Sequence, residues 1–169
     1  MMKLYLDCDG VILDTINKSY QMLRESGITE ESEVRKFYSN ISWEILIRES
    51  GEINNSISKI KCLSKYFDIE ILTHVYSDSE AKAKINYFAR VLPGINVITV
   101  PKEINKADYV ECKGAILVDD YFPNLEYWEE KGGIPVKFSD SNRPCSYISI
   151  MDLLELLEIN FNNKIKVKE

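Results

Sequence analysis

Short apolar runs alternate with helical patterns along most of the chain. Runs rich in Ile, Leu, Val or aromatic residues, each bounded by polar or turn residues, predict five strands at 3–6, 69–72, 95–100, 115–118 and 134–138. Between them, apolar residues recur every three or four positions, as they do in a helix. Strands that alternate with helices favour an α/β fold, in which a parallel sheet is covered on both faces.

Two predicted helices have recognisable ends. One follows the capping-box pattern Ser77-x-x-Glu80 and stops at Pro93-Gly94. The other contains Leu125 and Trp128 and stops before Gly132-Gly133.

The segment 15–67 differs because it contains no predicted strand. Its helical patterns precede Gly27, precede Gly51 and run through Ile53, Ile57 and Ile60. About fifty residues is far more than the dozen or so that a crossover needs. We therefore predict a core of 1–14 and 68–160, a helical cap of 15–67 and a polar C-terminal tail of 161–169.

Composition limits the classes of function. The chain has 169 residues, of which 27 are acidic and 21 basic, giving a net charge of −6, and 45% are apolar. This excludes a disordered or fibrous chain, and the negative charge without a Lys/Arg-rich run argues against a nucleic-acid polymer as partner. No run approaches the roughly 18 to 20 apolar residues of a membrane span. We expect a cytoplasmic protein without a membrane partner.

Two acid pairs stand at the ends of predicted strands. Asp7 and Asp9 follow the first strand at spacing i, i+2, which points both side chains the same way, and Asp119-Asp120 closes the fourth. A single acid there is often a helix cap or turn residue. In an open α/β sheet, however, ligands bind at the carboxyl ends of the strands. If these two strands are neighbours, the carboxylates converge, and Mg²⁺ is the cation that suits such oxygen ligands.

Other strand ends and nearby helices offer groups for an anion. Thr73 ends the second strand, and its hydroxyl can donate to a phosphoryl oxygen. Lys106 or Lys84 can supply positive charge, although an ordinary solvated lysine is the alternative for each.

The order of these residues resembles the haloacid dehalogenase (HAD) superfamily of phosphohydrolases. The matching features are Asp-x-Asp-Gly-Val after the first strand, Thr after the second, a lysine, and Val-Asp-Asp after the fourth. The segment 117–134, Leu-Val-Asp-Asp-Tyr-x-x-Asn-Leu-x-x-Trp-x-x-x-Gly-Gly-Ile, is most similar to the 5′(3′)-deoxyribonucleotidase-type branch. The resemblance implies a Rossmann-like α/β/α fold with about five parallel strands and a helical cap after strand 1.

The resemblance also implies roles for single residues. Asp7 is the nucleophile that forms an aspartyl-phosphate, and Asp9 is the general acid and base. The implied Mg²⁺ ligands are the Asp7 side chain, the Asp9 backbone carbonyl and the Asp119-Asp120 pair, and which of that pair contacts the metal stays open. The implied phosphate-binding residues are Gly10, Thr73 and Lys106, with Lys84 as the rival lysine.

Aromatic residues of the predicted cap are candidates for substrate binding. Phe37, Tyr38 and Trp43 could contact a base, or could simply form the core of the cap. His74 follows Thr73 and could line the pocket, or be a hydrogen-bonded histidine beside a strand.

The function expected is that of a Mg²⁺-dependent phosphomonoester hydrolase. Its substrate would be a small phosphorylated metabolite, with (deoxy)nucleoside monophosphates first among the candidates. One alternative is a phosphotransferase or phosphomutase of the same fold. Another is a phospho-receiver signalling module, but that module needs an acid after the third strand, which here ends Thr99-Val100-Pro101.

Overall fold

The computed structural model describes residues 1–139, 141 and 144–161. The strands in these ranges are β1 (Met2–Leu6), β2 (Phe67–Val75), β3 (Asn96–Pro101), β4 (Ile116–Asp119), β5 (Ile134–Phe138) and β6 (Ile148–Ile150). They form one parallel sheet in the order β3-β2-β1-β4-β5-β6. This is the strand order of doubly wound nucleotide-binding folds.

The same ranges contain seven α-helices. They are α1 (Thr15–Ser26), α2 (Glu31–Asn40), α3 (Trp43–Glu49), α4 (Ser56–Leu63), α5 (Asp78–Val91), α6 (Lys106–Tyr109) and α7 (Phe122–Glu130), all counted within the described ranges. Short 3₁₀ segments occupy Ile53–Asn55 and Leu153–Glu158.

The sheet has two buried faces, as a parallel sheet requires. Leu4 and Leu6 of β1 belong to one apolar cluster, to which α4, α5 and the 3₁₀ segment Leu153–Glu158 also contribute. Tyr5, between them in sequence, belongs to a second cluster and contacts the Trp128 ring of α7 edge to face. Alternation along β1 therefore separates the two helical layers.

The predicted fold class is confirmed, with three corrections. All five predicted strands form, but the sequence pattern does not reveal the sixth, β6, because three residues carry too little periodicity to signal a strand. Nor does it reveal helix α2, none of whose residues is buried. The capping box is half formed: Ser77 accepts the Glu80 N–H, whereas the Glu80 carboxylate accepts from the Tyr76 N–H.

The strand order reverses between β1 and β4. The chain runs outward from β1 to β3, then returns to place β4 on the other side of β1. Leu6 is paired with Val118, and the Asp7 N–H donates to the Val118 carbonyl at 3.0 Å. The two acid pairs therefore emerge side by side at the switch point, where open α/β sheets bind ligands.

Helix α4, the last helix of the predicted cap, contributes to the apolar core. Ile57, Ile60 and Leu63 of α4 belong to the same cluster as the strand residues, so this helix packs on the sheet. The division at 15–67 stays a prediction. Residues 162–169 of the predicted tail lie outside the described residues, and Phe161 is buried against Phe67.

Among the described helices, none combines the length and apolar character that a bilayer crossing needs.

Candidate active site

A tight turn after β1 sets the direction of the first acid pair. The Cys8 carbonyl accepts from the N–H groups of Ile12 and Leu13 at 2.9 and 3.0 Å. Gly10 has a φ of +80°, a left-handed conformation that favours glycine. A Cβ at this position would collide with the carboxylate of Asp120. The missing side chain thus lets the turn approach the second acid pair.

Gly10→Ala is therefore expected to destabilise the protein by more than about 1–2 kcal/mol, the cost of left-handed backbone for a residue with a Cβ. Gly27→Ala is the matched control, because Gly27 has a φ of +71° but a Cβ added there would meet nothing within 4 Å. Urea unfolding should show the larger loss for Gly10→Ala. An equal loss in the two variants would show that Asp120 does not constrain the turn.

Three carboxylates meet at the ends of β1 and β4. Asp7, Asp119 and Asp120 each offer an oxygen, and these oxygens lie within 4.8 Å of one another. Asp7 and Asp119 are buried, and Asp120 is half-buried. One Asp119 oxygen also accepts a hydrogen bond from the Tyr121 N–H at 2.8 Å. Asp119 is therefore both a turn residue and a member of the acid cluster. Like charges this close need a counter-charge.

The pKa values of two of these carboxylates are raised, as expected for acids that lack a sufficient counter-charge. Burial, with the neighbouring carboxylates adding to it, raises the pKa of Asp7 to about 7 despite the opposing charge of Lys106. Burial and the charge of Asp119 raise the pKa of Asp120 to about 6. The donor set is hard oxygen at short range with excess negative charge, which fits Mg²⁺.

Lys106 lies at the centre of the cluster. Its Nζ donates to Asp7 Oδ1 at 2.8 Å and to Asp119 Oδ2 at 2.7 Å. Burial alone would lower the pKa of Lys106, but the charges of Asp119 and Asp7 outweigh it and raise the pKa. A lysine has three N–H groups, so these two bonds leave one for a further acceptor.

Lys84 has no such spare donor. Its fully buried Nζ contacts Asp9 Oδ2 at 2.5 Å, Glu80 Oε1 at 2.7 Å, and Thr73 Oγ1 and the His74 carbonyl at 3.0 Å each. Burial is again outweighed, here by Asp9 above all, so the pKa of Lys84 is raised. Four acceptors for three N–H groups saturate this lysine.

Asp9 points away from the three-acid cluster. Its Oδ2 contacts Lys84, and its Oδ1 accepts from the Thr15 hydroxyl at 2.6 Å. Thr15 is the first residue of α1, and the centre of the Trp43 ring of α3 lies 5.0 Å from the Lys84 Nζ. The side chain of Asp9 is therefore held by α1 and by the lysine of α5.

Thr73 and His74 are both engaged by protein groups. The Thr73 hydroxyl is buried, accepts from Lys84, and lies 3.3 Å from the His74 carbonyl oxygen. The His74 ring Nε2 lies 2.9 Å from the Ile104 carbonyl. Burial lowers the pKa of His74, and the charges of Lys106 and Lys102 lower it further, so the ring is neutral at pH 7.

A cavity of about 710 Å³ opens above the acids. Asp7, Asp9 and Asp120 are part of its wall, and so are His74, Tyr38 and Trp43. Phe37 is not among the lining residues and packs edge to face on Tyr38. Thr73, Lys84 and Lys106 are buried and are not among the lining residues.

The sequence analysis assigns no role in the site to several residues that the structure places there. Asn124 donates to Asp119 Oδ2 at 2.9 Å, and its place in the first turn of the helix after Asp119 is a signal that could have found it. Glu80 pairs with Lys84, and their i, i+4 spacing could have shown the pair. Further aromatic and basic residues of the wall were not predicted to belong to the site: Tyr20, Tyr76, Lys102 and Tyr121.

Comparisons with known proteins add information on the fold. No protein-family model matches the chain. No curated protein matches it.

Solved structures, in contrast, match along almost the whole chain. A HAD-superfamily hydrolase of subfamily IA from Geobacter sulfurreducens is 14% identical, with a TM-score of 0.62, covering 94% of this chain and 99% of that one. The HAD-hydrolase YfnB from Bacillus subtilis, bound to magnesium, is 14% identical, with a TM-score of 0.64 and coverages of 93% and 97%.

A third match has a named activity. D,D-heptose 1,7-bisphosphate phosphatase from B. bronchiseptica, complexed with magnesium and phosphate, is 13% identical, with a TM-score of 0.54, covering 93% of this chain and 97% of that one. At these identities the likeness is one of fold. The chain has the three-layer α/β/α fold of the HAD-superfamily hydrolases.

Proposed function

We propose that this protein is a Mg²⁺-dependent phosphatase of small phosphomonoesters. The observation that carries the proposal is the cluster of Asp7, Asp119 and Asp120, with Lys106 bridging Asp7 and Asp119. Two of its members, Asp7 and Asp120, line the cavity. Strand-end carboxylates that converge with one lysine suit phosphoryl transfer, which depends on positioning and charge compensation.

In the proposed reaction, Asp7 attacks the phosphorus of the substrate. The ester P–O bond breaks as the Asp7–phosphoryl bond forms, and the leaving oxygen takes a proton from Asp9. A water then gives its proton to Asp9 and attacks the same phosphorus, which releases phosphate and restores Asp7. For these proton transfers, Asp9 has to turn from Lys84 and Thr15 toward the substrate oxygen.

The other residues have binding roles in the proposal. Mg²⁺ would be held by Asp7, Asp119 and Asp120, with the Asp9 backbone carbonyl as the further ligand implied by the resemblance, and would neutralise charge on the phosphoryl group. Lys106 would give its remaining N–H to a phosphoryl oxygen. Lys84 would instead position Thr73, and would hold Asp9 until Asp9 turns toward the substrate, since its own donors are used.

The finer proposal is that the substrate is a nucleoside monophosphate. We also propose that the protein works in the cytoplasm. Its support is the aromatic character of the cavity wall, where Tyr38 and Trp43 could contact a planar base. The receiver-module alternative is disfavoured because receivers have the strand order 2-1-3-4-5, unlike the order here. Transfer to an acceptor alcohol stays open as the second reaction type.

A panel of phosphomonoesters, assayed with and without Mg²⁺, tests the proposal. It should include 5′- and 3′-deoxynucleotides, p-nitrophenyl phosphate and sugar phosphates, with phosphate release as the readout. We expect Mg²⁺-dependent release without any added acceptor. Release only when an alcohol acceptor is present would identify a phosphotransferase, and no turnover of any ester would contradict the proposal.

A further inference from the structure

Among the described residues that line the cavity, Lys102 is the one with a positively charged side chain. The other charged residues in this part of the lining are acids: Asp7, Asp9, Glu80 and Asp120. Lys84 and Lys106 are buried, do not line the cavity and are bonded to carboxylates, and burial lowers the pKa of His74, which favours its neutral ring. Among the ion pairs of the described residues, none involves Lys102.

Two tyrosine rings hold this lysine. The Lys102 Nζ lies 5.6 Å from the centre of the Tyr76 ring and 5.3 Å from that of Tyr121. Such distances allow cation–π attraction to both rings. We call Tyr76, Lys102 and Tyr121 the lysine clamp.

The backbone fixes each member of the lysine clamp at the carboxyl edge of the sheet. The Lys102 N–H donates to the Val75 carbonyl at 3.1 Å, just beyond the β2–β3 pairing. The Tyr76 N–H donates to Glu80 Oε2 at 2.8 Å, and the Tyr121 N–H donates to Asp119 Oδ1 at 2.8 Å. The clamp thus shares a hydrogen bond with the acid cluster itself, which makes it a built part of the same site.

We propose that the lysine clamp binds a second anionic group, a carboxylate or a phosphate, on the leaving portion of the substrate. The proposal rests on the proposed phosphatase function and narrows its substrate class. A second anion in this cavity would be repelled by the wall carboxylates unless a cation received it, and Lys102 is the cation that the described part of the lining offers. The Tyr76 and Tyr121 hydroxyl groups can add neutral donors.

Matched ester pairs test this selectivity. One pair is 4-carboxyphenyl phosphate and its neutral analogue 4-carbamoylphenyl phosphate. The other is deoxyadenosine 3′,5′-bisphosphate and deoxyadenosine 5′-monophosphate. The first pair reports a carboxylate and the second a phosphate, and the quantity measured is the ratio of kcat/KM within each pair.

Lys102→Met should lower this ratio at least about tenfold for one pair or both, because a charge-assisted hydrogen bond is lost. Lys102→Arg should restore most of it. Lys65→Met is the control: Lys65 is exposed, as Lys102 is, but lies between α4 and β2 at the opposite edge of the sheet, and its loss should leave both ratios unchanged. Equal losses within each pair on Lys102→Met would overturn the proposal.

A binding experiment separates this proposal from the phosphatase proposal. Titration calorimetry would compare 4-carboxybenzylphosphonate with benzylphosphonate, neither of which can be hydrolysed, on the wild type and Lys102→Met. A carboxylate preference that depends on Lys102 would support the clamp even if no ester in the panel turns over. Equal affinity for the two phosphonates in the wild type, together with unchanged ester ratios, would overturn the clamp and leave the phosphatase proposal intact.

Discussion

Asp7→Asn is expected to lower the rate of phosphate release by at least about a thousandfold, the scale that follows removal of a nucleophile. The amide has nearly the shape of the carboxylate, but it neither attacks phosphorus nor binds a cation strongly. The fold should survive, because removing a buried charge whose pKa is raised relieves repulsion within the cluster. The assay is phosphate release from the best ester of the panel.

Asp68→Asn is the control for this change. Asp68 lies at the other end of the sheet, in β2, and its exposed carboxylate pairs with Lys3. Both variants should give a wild-type circular dichroism spectrum, and Asp68→Asn should keep wild-type activity. If Asp7→Asn keeps most of its activity while it is folded, Asp7 is not the nucleophile.

Removal of Mg²⁺ is the second change with a large expected effect. EDTA should lower activity more than about a hundredfold, because several kcal/mol of charge stabilisation is lost, and added Mg²⁺ should restore it. Activity that persists in EDTA after dialysis would contradict the assignment of Asp7, Asp119 and Asp120 as a metal site.

The metal should also change how stability depends on pH. The pKa values of Asp7 and Asp120 are raised from 3.8 to about 7 and about 6. Without Mg²⁺, the folded protein therefore binds more protons than the unfolded chain between the ordinary and the raised values, and its free energy of unfolding falls as pH rises through that window. Mg²⁺ binds the deprotonated carboxylates, so its stabilisation is suppressed at low pH.

The rise in Tm on adding Mg²⁺ is thus expected to be larger near pH 8 than near pH 5. An ion at about 100 times its Kd stabilises by about 2.7 kcal/mol, which differential scanning fluorimetry can resolve. In the same experiment, Asp119→Asn should show no rise in Tm on adding Mg²⁺. The control Asp68→Asn should show the same rise as the wild type. An equal rise at both pH values would show that Mg²⁺ does not compete with protons on these acids.

The strands and the acid pairs could be predicted because local signals determine them. Buried parallel strands are nearly continuous apolar runs, and an acid directly after such a run stands out. The step from strand ends to a shared site needed only that β1 and β4 be neighbours, which the Leu6–Val118 pairing shows.

The choice between two lysines could not be made from the sequence. Lys84 and Lys106 are both charged residues on helices that follow strands, and their difference lies in contacts distant along the chain. Lys106 contacts Asp7 and Asp119, whereas Lys84 is saturated by acceptors that include Asp9 and Glu80. Only the packing of α5 and α6 against the sheet separates the two.

Part of the cavity wall was also beyond sequence reasoning. Tyr76 and Tyr121 follow strands and have the pattern of ordinary surface aromatics, and an exposed lysine such as Lys102 gives no signal by itself. These three residues follow β2, β4 and β3, and they come together because the strand order brings the ends of these strands to one edge of the sheet.

Trapping the covalent intermediate is the sharpest test of Asp7 as the nucleophile. Asp9→Asn should form the aspartyl-phosphate from p-nitrophenyl phosphate, whose leaving group needs no proton, but should hydrolyse it slowly because the base is lost. Borohydride reduction after an acid quench converts an acyl phosphate into an alcohol, and peptide mass spectrometry locates it. We predict homoserine at position 7, formed only with Mg²⁺ and substrate. An unmodified Asp7 with the reduction product at another residue would contradict the proposed mechanism.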